Sequence, residues 1–337
     1  MRPGALPAKI LHGLLDSIPP ASGAVVMGTG IVSVALLLDG RHVLSTILLV
    51  IDALIWLALA VLLPARAWRD GQRFAVDLRH PTALTSIAGT AVLGTRLTLA
   101  GWGWAGSALL IIATGIWLGL VPHVLRHWQT PTIGASFILT VATESLALLA
   151  ATLSLSDRAA WLTYVALGPF GLGLCFYAFV LSRFQFRQLA VGIGDHWVTG
   201  GALAISTLAA GRIALAAERT ASLTGGHDAL ETIALVLWCL TLAWLPALIV
   251  SEILRPRLAY NVRRWSTVFP VGMYAACSFI VGALTKTPGI TDYARVWVWV
   301  ALAVWLAVFA GMLRRTPQLV QATAGATAAS STPGMIR

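Results

Sequence analysis

The sequence predicts an all-α integral membrane protein with ten transmembrane helices. Hydrophobic residues make up 58% of the 337-residue chain and charged residues only 11%, whereas soluble domains carry about 25% charged residues. Apolar runs of membrane-spanning length, about 18 to 25 residues, recur along the chain between charged or proline breaks. The longest connection between these runs, PARAWRDGQRFAVDLRH, is too short to form a soluble domain.

The chain divides into three segments. Residues 1–20 form a short, polar, cytoplasmic lead, which lacks the apolar core and cleavage site of a signal peptide. Residues 21–315 form the transmembrane domain. Residues 316–337 are rich in alanine, threonine and serine, and we expect this cytoplasmic tail to be disordered. The ten spans predicted within the domain are 21–38, 42–63, 81–99, 101–121, 131–151, 159–181, 195–216, 229–250, 265–285 and 292–313.

Successive spans alternate in composition, which indicates their places in the bundle. The odd-numbered spans contain, in chain order, MGTGIVS, TSIAGTAVLGT, GASFILTVATES, TGGALAISTLAAGR and FPVGMYAACS. The even-numbered spans hold tryptophans, namely Trp56, Trp102, Trp104, Trp117, Trp161, Trp238, Trp244, Trp297, Trp299 and Trp305. Small and hydroxyl residues suit close helix contact or a wetted wall, whereas bulky aromatic residues suit a lipid-facing surface. Since connections such as DGRH and TKTPGITD are short, we predict five hairpins with odd helices inside and even helices outside.

The distribution of positive charge predicts the orientation. A cytoplasmic amino terminus puts 16 of the 23 Lys and Arg residues on the cytoplasmic side, as the positive-inside rule requires. We therefore expect both termini in the cytoplasm and the chain in the plasma membrane. The net charge of +10 follows largely from this topology, so we expect the lipid bilayer, and not nucleic acid, as the partner.

Three ionisable residues lie inside odd-numbered spans. Arg96 and Arg212 align when IAGTAVLGTRLTLA is written above LAISTLAAGRIALA, and Glu144 has a comparable place in TVATESLALLA. Charged groups within membrane segments usually face a cavity or a partner. One interpretation is a quasi-repeated cationic ring that attracts anions at the outer end of a pore; the other is a cluster that ties the helices together. Asp52, in the second span, is expected to face a neighbouring helix and has no predicted function.

The chain resembles the tellurite-resistance/dicarboxylate transporter family. The stretches that carry this resemblance are VVMGTGIVSVALLL, DLRHPTALTSIAGTAVLGTRL, TVATESLA and RRWSTVFPVGMYA, and it extends over essentially the whole chain. That family is similar to the slow-type anion channels of plants and includes fungal malate permeases and sulfite exporters. Its members carry malate and other C4-dicarboxylates, sulfite, tellurite, nitrate or chloride, so the resemblance implies small anionic solutes without choosing among them.

The resemblance also implies an architecture and a gate. Members of the family have five helical hairpins around a central pore lined by the odd helices, and they assemble as homotrimers with one pore in each subunit. A phenylalanine in the ninth helix closes the pore, and the matching motif WSTVFPVGMYA makes Phe269 the candidate gate, beside the helix-kinking Pro270. The alternative interpretation is that Phe269 is a core residue.

Small residues of the inner helices are the candidate pore lining. Gly28 and Gly30 in the first span would widen a pore, and Thr29 would supply a hydroxyl group. Thr90 in the third span, Thr143 in the fifth and Pro270 in the ninth complete the candidate lining. The alternative for the glycines is a tight contact between helices.

Other classes of function find less support in the sequence. His123 and His127 have the i, i+4 spacing of a metal pair but lack an obvious third ligand, so we expect no metal, no cofactor and no enzymatic activity. Within transport, a proton-coupled dicarboxylate carrier using Glu144 is an alternative to a channel. A membrane scaffold or receptor is the remaining possibility.

Overall fold

The computed structural model describes residues 18–191, 194–223, 225–257 and 259–329. Ten long helices follow one another in this part of the chain, joined by short turns and by two short helices, Gly71–Asp77 and Arg187–Val191. The long helices are α1 (Gly23–Leu38), α2 (His42–Arg69), α3 (Thr85–Leu99), α4 (Gly103–Arg126), α5 (Ile138–Asp157), α6 (Ala160–Leu181), α7 (Trp197–Thr220), α8 (His227–Leu254), α9 (Trp265–Leu284) and α10 (Pro288–Ala329).

The structure confirms an all-α membrane protein. It does not confirm the predicted number of membrane spans, because one of the ten long helices is not among the candidate spans. Within the described residues, nine helices, some counted with the 3-10 turn that precedes them, are long and apolar enough to cross a membrane. The exception is α3, which has 15 residues after the 3-10 turn Pro81–Leu84. It is short, and its glycine, serine and threonine residues and Arg96 lower its hydropathy. The number ten therefore stays a prediction.

Consecutive helices form hairpins with tight connections. Between α1 and α2 the chain turns through Gly40 at a φ of 78°, and between α3 and α4 it turns through Gly101 at a φ of 88°. Both values lie in the left-handed region, where glycine carries no steric penalty. Each helix of a hairpin packs on its partner in all five hairpins, α1 with α2 through α9 with α10.

The odd-numbered helices form a closed ring. Helix α1 packs on α3, α3 on α5, α5 on α7, α7 on α9, and α9 again on α1. The even-numbered helices lie around this ring. In the most apolar 18-residue stretch of each helix, between 78% and 94% of the residues are buried in α1, α5, α7 and α9, against 11% to 28% in the even helices. Most of α3 is buried as well. The predicted alternation of inner and outer helices is therefore observed.

Glycines hold the inner helices close together. A Cβ atom on Gly201 of α7 would lie 2.8 Å from the ring of Pro270 in α9, and one on Gly272 of α9 would lie 2.8 Å from the Ile31 side chain in α1. Real Cβ atoms do not approach neighbours so closely. The ring therefore depends on glycine at the points where these helices touch.

The structure describes only part of the two predicted terminal segments. Residues 1–17 of the predicted lead and residues 330–337 of the predicted tail lie outside the described residues. From residue 316 onward we predicted disorder, whereas the backbone of α10 continues as a helix to Ala329. The alanine-rich sequence of this part accounts for the difference, because alanine has the highest helix propensity.

Candidate functional site

The faces of α9 can be assigned from its contacts. Val268 faces α1, where a Cβ on Gly28 would meet it at 3.2 Å, and Pro270 faces α7. Tyr274 faces α8, since its hydroxyl group donates a 2.9 Å hydrogen bond to the carbonyl of Thr241. Successive residues of a helix are separated by 100°. Phe269 therefore projects between α1 and α7, away from the outer helices and toward the axis of the ring, and it is fully buried.

Arg212 projects toward the same axis from α7. Its neighbour Gly211 faces α9, where a Cβ would meet Ile280, and Ser206 faces α5. Thr207 faces the outer helix α8 through Thr241. By the helical phase, Arg212 lies between α9 and α5 on the side away from α8. Its side chain is buried, and its Nε has no hydrogen-bond partner among the described residues.

The two axial residues lie at different depths. Gly201 is level with Pro270, and Gly211 is level with Ile280, so α7 and α9 run side by side in register. At 1.5 Å per residue, Phe269 and Arg212 are separated by about 18 Å along the axis. Phe269 lies toward the end where α7 and α9 begin, and Arg212 toward the opposite end.

Glu144 does not join the two arginines. It is fully buried between α5, α6 and α7: its Oε1 accepts a 3.0 Å hydrogen bond from Ser206, and a Cβ on Gly173 would lie 2.6 Å from its side chain. Its Oε2 has no hydrogen-bond partner within the described residues. The carboxyl group thus lies beside the ring wall at the α6–α7 contact.

Arg96 faces α1 and α2, whereas Arg212 points toward the axis of the ring. Its Nε donates hydrogen bonds to Ser33 of α1 at 3.1 Å and Ser45 of α2 at 3.0 Å, while its Nη1 is buried without a hydrogen-bond partner among the described residues. Asp52 of α2 lies near the same three-helix contact, fully buried against Gly30, and neither carboxyl oxygen has a partner in the described part of the chain. The alignment of the two arginines in the sequence is therefore not matched by equivalent surroundings in the fold.

The three candidate pore-lining threonines face outer helices. Each hydroxyl accepts a hydrogen bond from a tryptophan indole, and the pairs are Trp305–Thr29 at 3.0 Å, Trp56–Thr90 at 2.9 Å and Trp117–Thr143 at 2.9 Å. These hydroxyl groups are engaged at contacts between the two layers. They are therefore not available to line a pore on the axis.

The first-span glycines lie at helix contacts. A Cβ on Gly28 would meet the Trp265 ring at 3.0 Å, and one on Gly30 would meet Asp52 at 2.7 Å and Val92 at 2.9 Å. These contacts agree with the alternative stated for these glycines, a tight approach of helices. Pro270 likewise packs on Gly201 of α7 and does not face the axis.

A cluster of charged residues links the helices at the end of the ring nearest Phe269. The sequence did not indicate this cluster. Glu252 of α8 accepts hydrogen bonds from Trp197 of α7 and from Arg257 and Arg264, at 3.2, 2.5 and 3.0 Å. Arg257 also donates to Thr267 of α9 at 3.0 Å. This network ties the first turns of α7 and α9 to the last turn of α8. Only the proximity of arginines to the ninth span could have suggested it.

Two buried titratable groups adjoin this cluster. Burial and, to a smaller extent, the positive charge of Arg257 together lower the pKa of His196 to about 4, although Glu252 partly opposes the shift. His196 Nδ1 accepts a hydrogen bond from the Gly194 N–H, and its Nε2–H donates to Ser251. Burial raises the pKa of Asp195, although the nearby charges of Arg263 and Arg257 act in the opposite direction.

Comparison with known proteins identifies the family. Residues 17–313 match the family described as SLAC1, voltage-dependent anion channel. The chain belongs to this family. It is also 33% identical over 142 residues to two uncharacterized membrane proteins of Mycobacterium tuberculosis, from strains H37Rv and CDC 1551. Each match covers 40% of this chain and 69% of the relative.

Membership of the SLAC1 family agrees with the resemblance found in the sequence. The family is described as a voltage-dependent anion channel family, which supports anion transport in general and fits a protein that is not an enzyme. The apolar helices and the membrane-protein relatives support a multi-pass membrane protein.

Proposed function

We propose that this chain conducts small anions along the axis of its inner ring, with Phe269 as the gate and Arg212 as the group that attracts the anion. The observation that carries the proposal is the position of Arg212. A buried guanidinium group whose Nε has no hydrogen-bond partner among the described residues is costly in a membrane, and an anion on the axis would offset that cost.

The position of Phe269 supports its proposed role as the gate. Its ring is fully buried and projects toward the axis from the first turns of α9. An aromatic ring in a narrow apolar passage blocks ions both sterically and by excluding water. Rotation of the side chain, beside the kink-forming Pro270, would open the passage.

The solutes we propose are malate and other C4-dicarboxylates, sulfite, tellurite, nitrate and chloride, carried by a homotrimer in the plasma membrane with cytoplasmic termini. The test is a liposome flux assay with each of these anions, for the wild type and for Arg212→Gln and Arg212→Lys. We expect the glutamine variant to lose most anion flux and the lysine variant to retain part of it. Equal flux in all three proteins, with each correctly folded, would contradict the role of Arg212.

Proton-coupled carriage is a second candidate. It is favoured by the Oε2 atom of Glu144, which is buried without a partner beside the ring wall. Such a carboxyl group is well placed to exchange a proton as neighbouring helices move. The same flux assay, run with and without a pH gradient, distinguishes a carrier from a channel.

A further inference from the structure

A deep cleft separates the outer helices α2 and α4. Its volume is about 860 Å³. The walls include Trp56 and Leu63 of α2 and Ile116 and Gly119 of α4, while α1 and α3 form the floor. The short helix Gly71–Asp77 closes one end. The cleft therefore opens sideways, through the layer of helices that faces lipid, and reaches the inner ring.

The wall of the cleft is almost entirely apolar. The Trp56 indole N–H donates its hydrogen bond to Thr90 on the floor, so it does not require a polar ligand. The two helices that flank the cleft also carry exposed apolar side chains, among them Leu57 and Val61 of α2 and Ile112 and Leu118 of α4. In a bilayer these surfaces are covered by hydrocarbon, and an acyl chain is the occupant that matches the chemistry of the wall.

The closed end of the cleft is basic. Five arginines but only two aspartates lie in the connection from Pro64 to His80 and in the last two turns of α4. Arg66 is engaged by Asp77 and by the carbonyl of Ile18. The remaining basic side chains around this end include the exposed Arg73, Arg79 and Arg126. Basic clusters beside transmembrane helices attract anionic head groups.

We propose that this cleft binds a membrane phospholipid with an anionic head group. One acyl chain lies along the apolar wall, and the head group lies at the basic end. The floor of the cleft includes Gly23 and Gly89, where α1 and α3 touch. The bound lipid therefore stabilises this contact between two inner helices. The proposal is independent of the transported anion and of the gate.

Two glycines of α4 offer a matched pair of variants. Both Gly115 and Gly119 are exposed, and a Cβ on either would meet nothing within 4 Å. Gly119 lines the cleft, whereas Gly115, one turn away, does not. Gly119→Phe therefore introduces an aromatic side chain at a residue that lines the cleft, and Gly115→Phe introduces the same side chain at a residue that does not, each from a position where the Cβ has open space.

The test compares phosphatidylglycerol with phosphatidylcholine, added to the purified full-length protein in detergent. Bound lipid is measured by mass spectrometry and stability by thermal unfolding. We expect phosphatidylglycerol to be retained and to raise the Tm of the wild type and Gly115→Phe, but not of Gly119→Phe. The triple variant Arg73→Gln, Arg79→Gln, Arg126→Gln should bind phosphatidylglycerol roughly 10-fold or more weakly, with phosphatidylcholine unaffected.

Three results would overturn the proposal. The first is equal retention of both lipids by the wild type. The second is retention by Gly119→Phe that matches retention by Gly115→Phe. The third is a change in oligomeric mass caused by Gly119→Phe alone, which would assign the cleft to a second copy of the chain. Should Gly119→Phe fail to fold, the triple arginine variant decides, since its substitutions lie on the exposed rim.

Discussion

The indole N–H of Trp305 in α10 donates a 3.0 Å hydrogen bond to the hydroxyl group of Thr29 in α1, 276 residues away in the chain. This bond joins the last outer helix to the first inner helix. The same relationship joins α2 to α3, α4 to α5 and α8 to α9, in the pairs Trp56–Thr90, Trp117–Thr143 and Trp238–Ser278. In each of these four pairs, the outer helix of one hairpin is thus hydrogen-bonded to the inner helix of the next.

Removal of the Trp305 bond should weaken the closure of the ring. We expect Trp305→Phe to lower the stability by about 1 kcal/mol, since it deletes a buried hydrogen bond and retains most of the aromatic packing. Thermal unfolding in detergent measures this effect. Trp299→Phe is the control, because Trp299 is 46% exposed on the same helix. An equal loss in both variants would show that the bond itself contributes nothing.

Gly30 should not tolerate a methyl group. A Cβ there would lie 2.7 Å from Asp52 and 2.9 Å from Val92, so we expect Gly30→Ala to destabilise the protein by about 1 to 3 kcal/mol through overpacking. Gly115→Ala, at an open helical site, should be neutral or stabilising by up to about 1 kcal/mol. If the two variants unfolded at the same temperature, the close helix contact at Gly30 would not contribute to stability.

His196 should make stability depend on pH. Its pKa is about 4 in the folded protein, against an ordinary value of 6.5, so the unfolded chain binds the extra proton first as the pH falls. The contribution of His196 is therefore complete above about pH 6.5 and is lost progressively toward pH 4. Thermal unfolding across this window should show a steeper loss for the wild type than for His196→Gln. Parallel curves would refute the assignment.

Phe269→Ala should open the proposed passage. We expect a large increase in anion conductance, measured in planar bilayers, because the variant removes the ring that projects toward the axis. Phe279→Ala is the control, since Phe279 lies on the same helix and is nearly as buried. Unchanged current in Phe269→Ala, with a normal elution profile from size-exclusion chromatography, would place the gate elsewhere.

Glu144→Gln tests proton coupling. The amide keeps an oxygen that can accept the Ser206 hydrogen bond, so the α5–α7 contact should be retained while proton exchange is abolished. We expect any stimulation of anion uptake by a pH gradient in liposomes to disappear, with gradient-independent flux preserved. A variant with the same response to pH as the wild type would exclude Glu144 from coupling.

The sequence by itself determined the membrane class, the hairpin order and the division into inner and outer helices. These properties follow from local composition: tryptophan-rich helices face lipid, and helices rich in small residues do not. The sequence was less informative about α3, because the same small and polar residues that suit an inner position reduce its resemblance to a membrane span.

Only the tertiary structure decided which way each inner side chain points. An inner helix is buried on every side, so its composition does not distinguish the face toward the axis from the faces toward its neighbours. The rotation of each helix is fixed by distant contacts, such as Trp305 on Thr29 and Gly201 on Pro270. For this reason Arg96 and Arg212, alike in sequence, have different surroundings. The Nε of Arg96 donates to hydroxyl groups of α1 and α2, whereas the Nε of Arg212 has no partner among the described residues and lies on the axial face. The Nη1 of Arg96 also lacks a partner there, so the two residues differ in direction and not in the presence of an unpartnered atom.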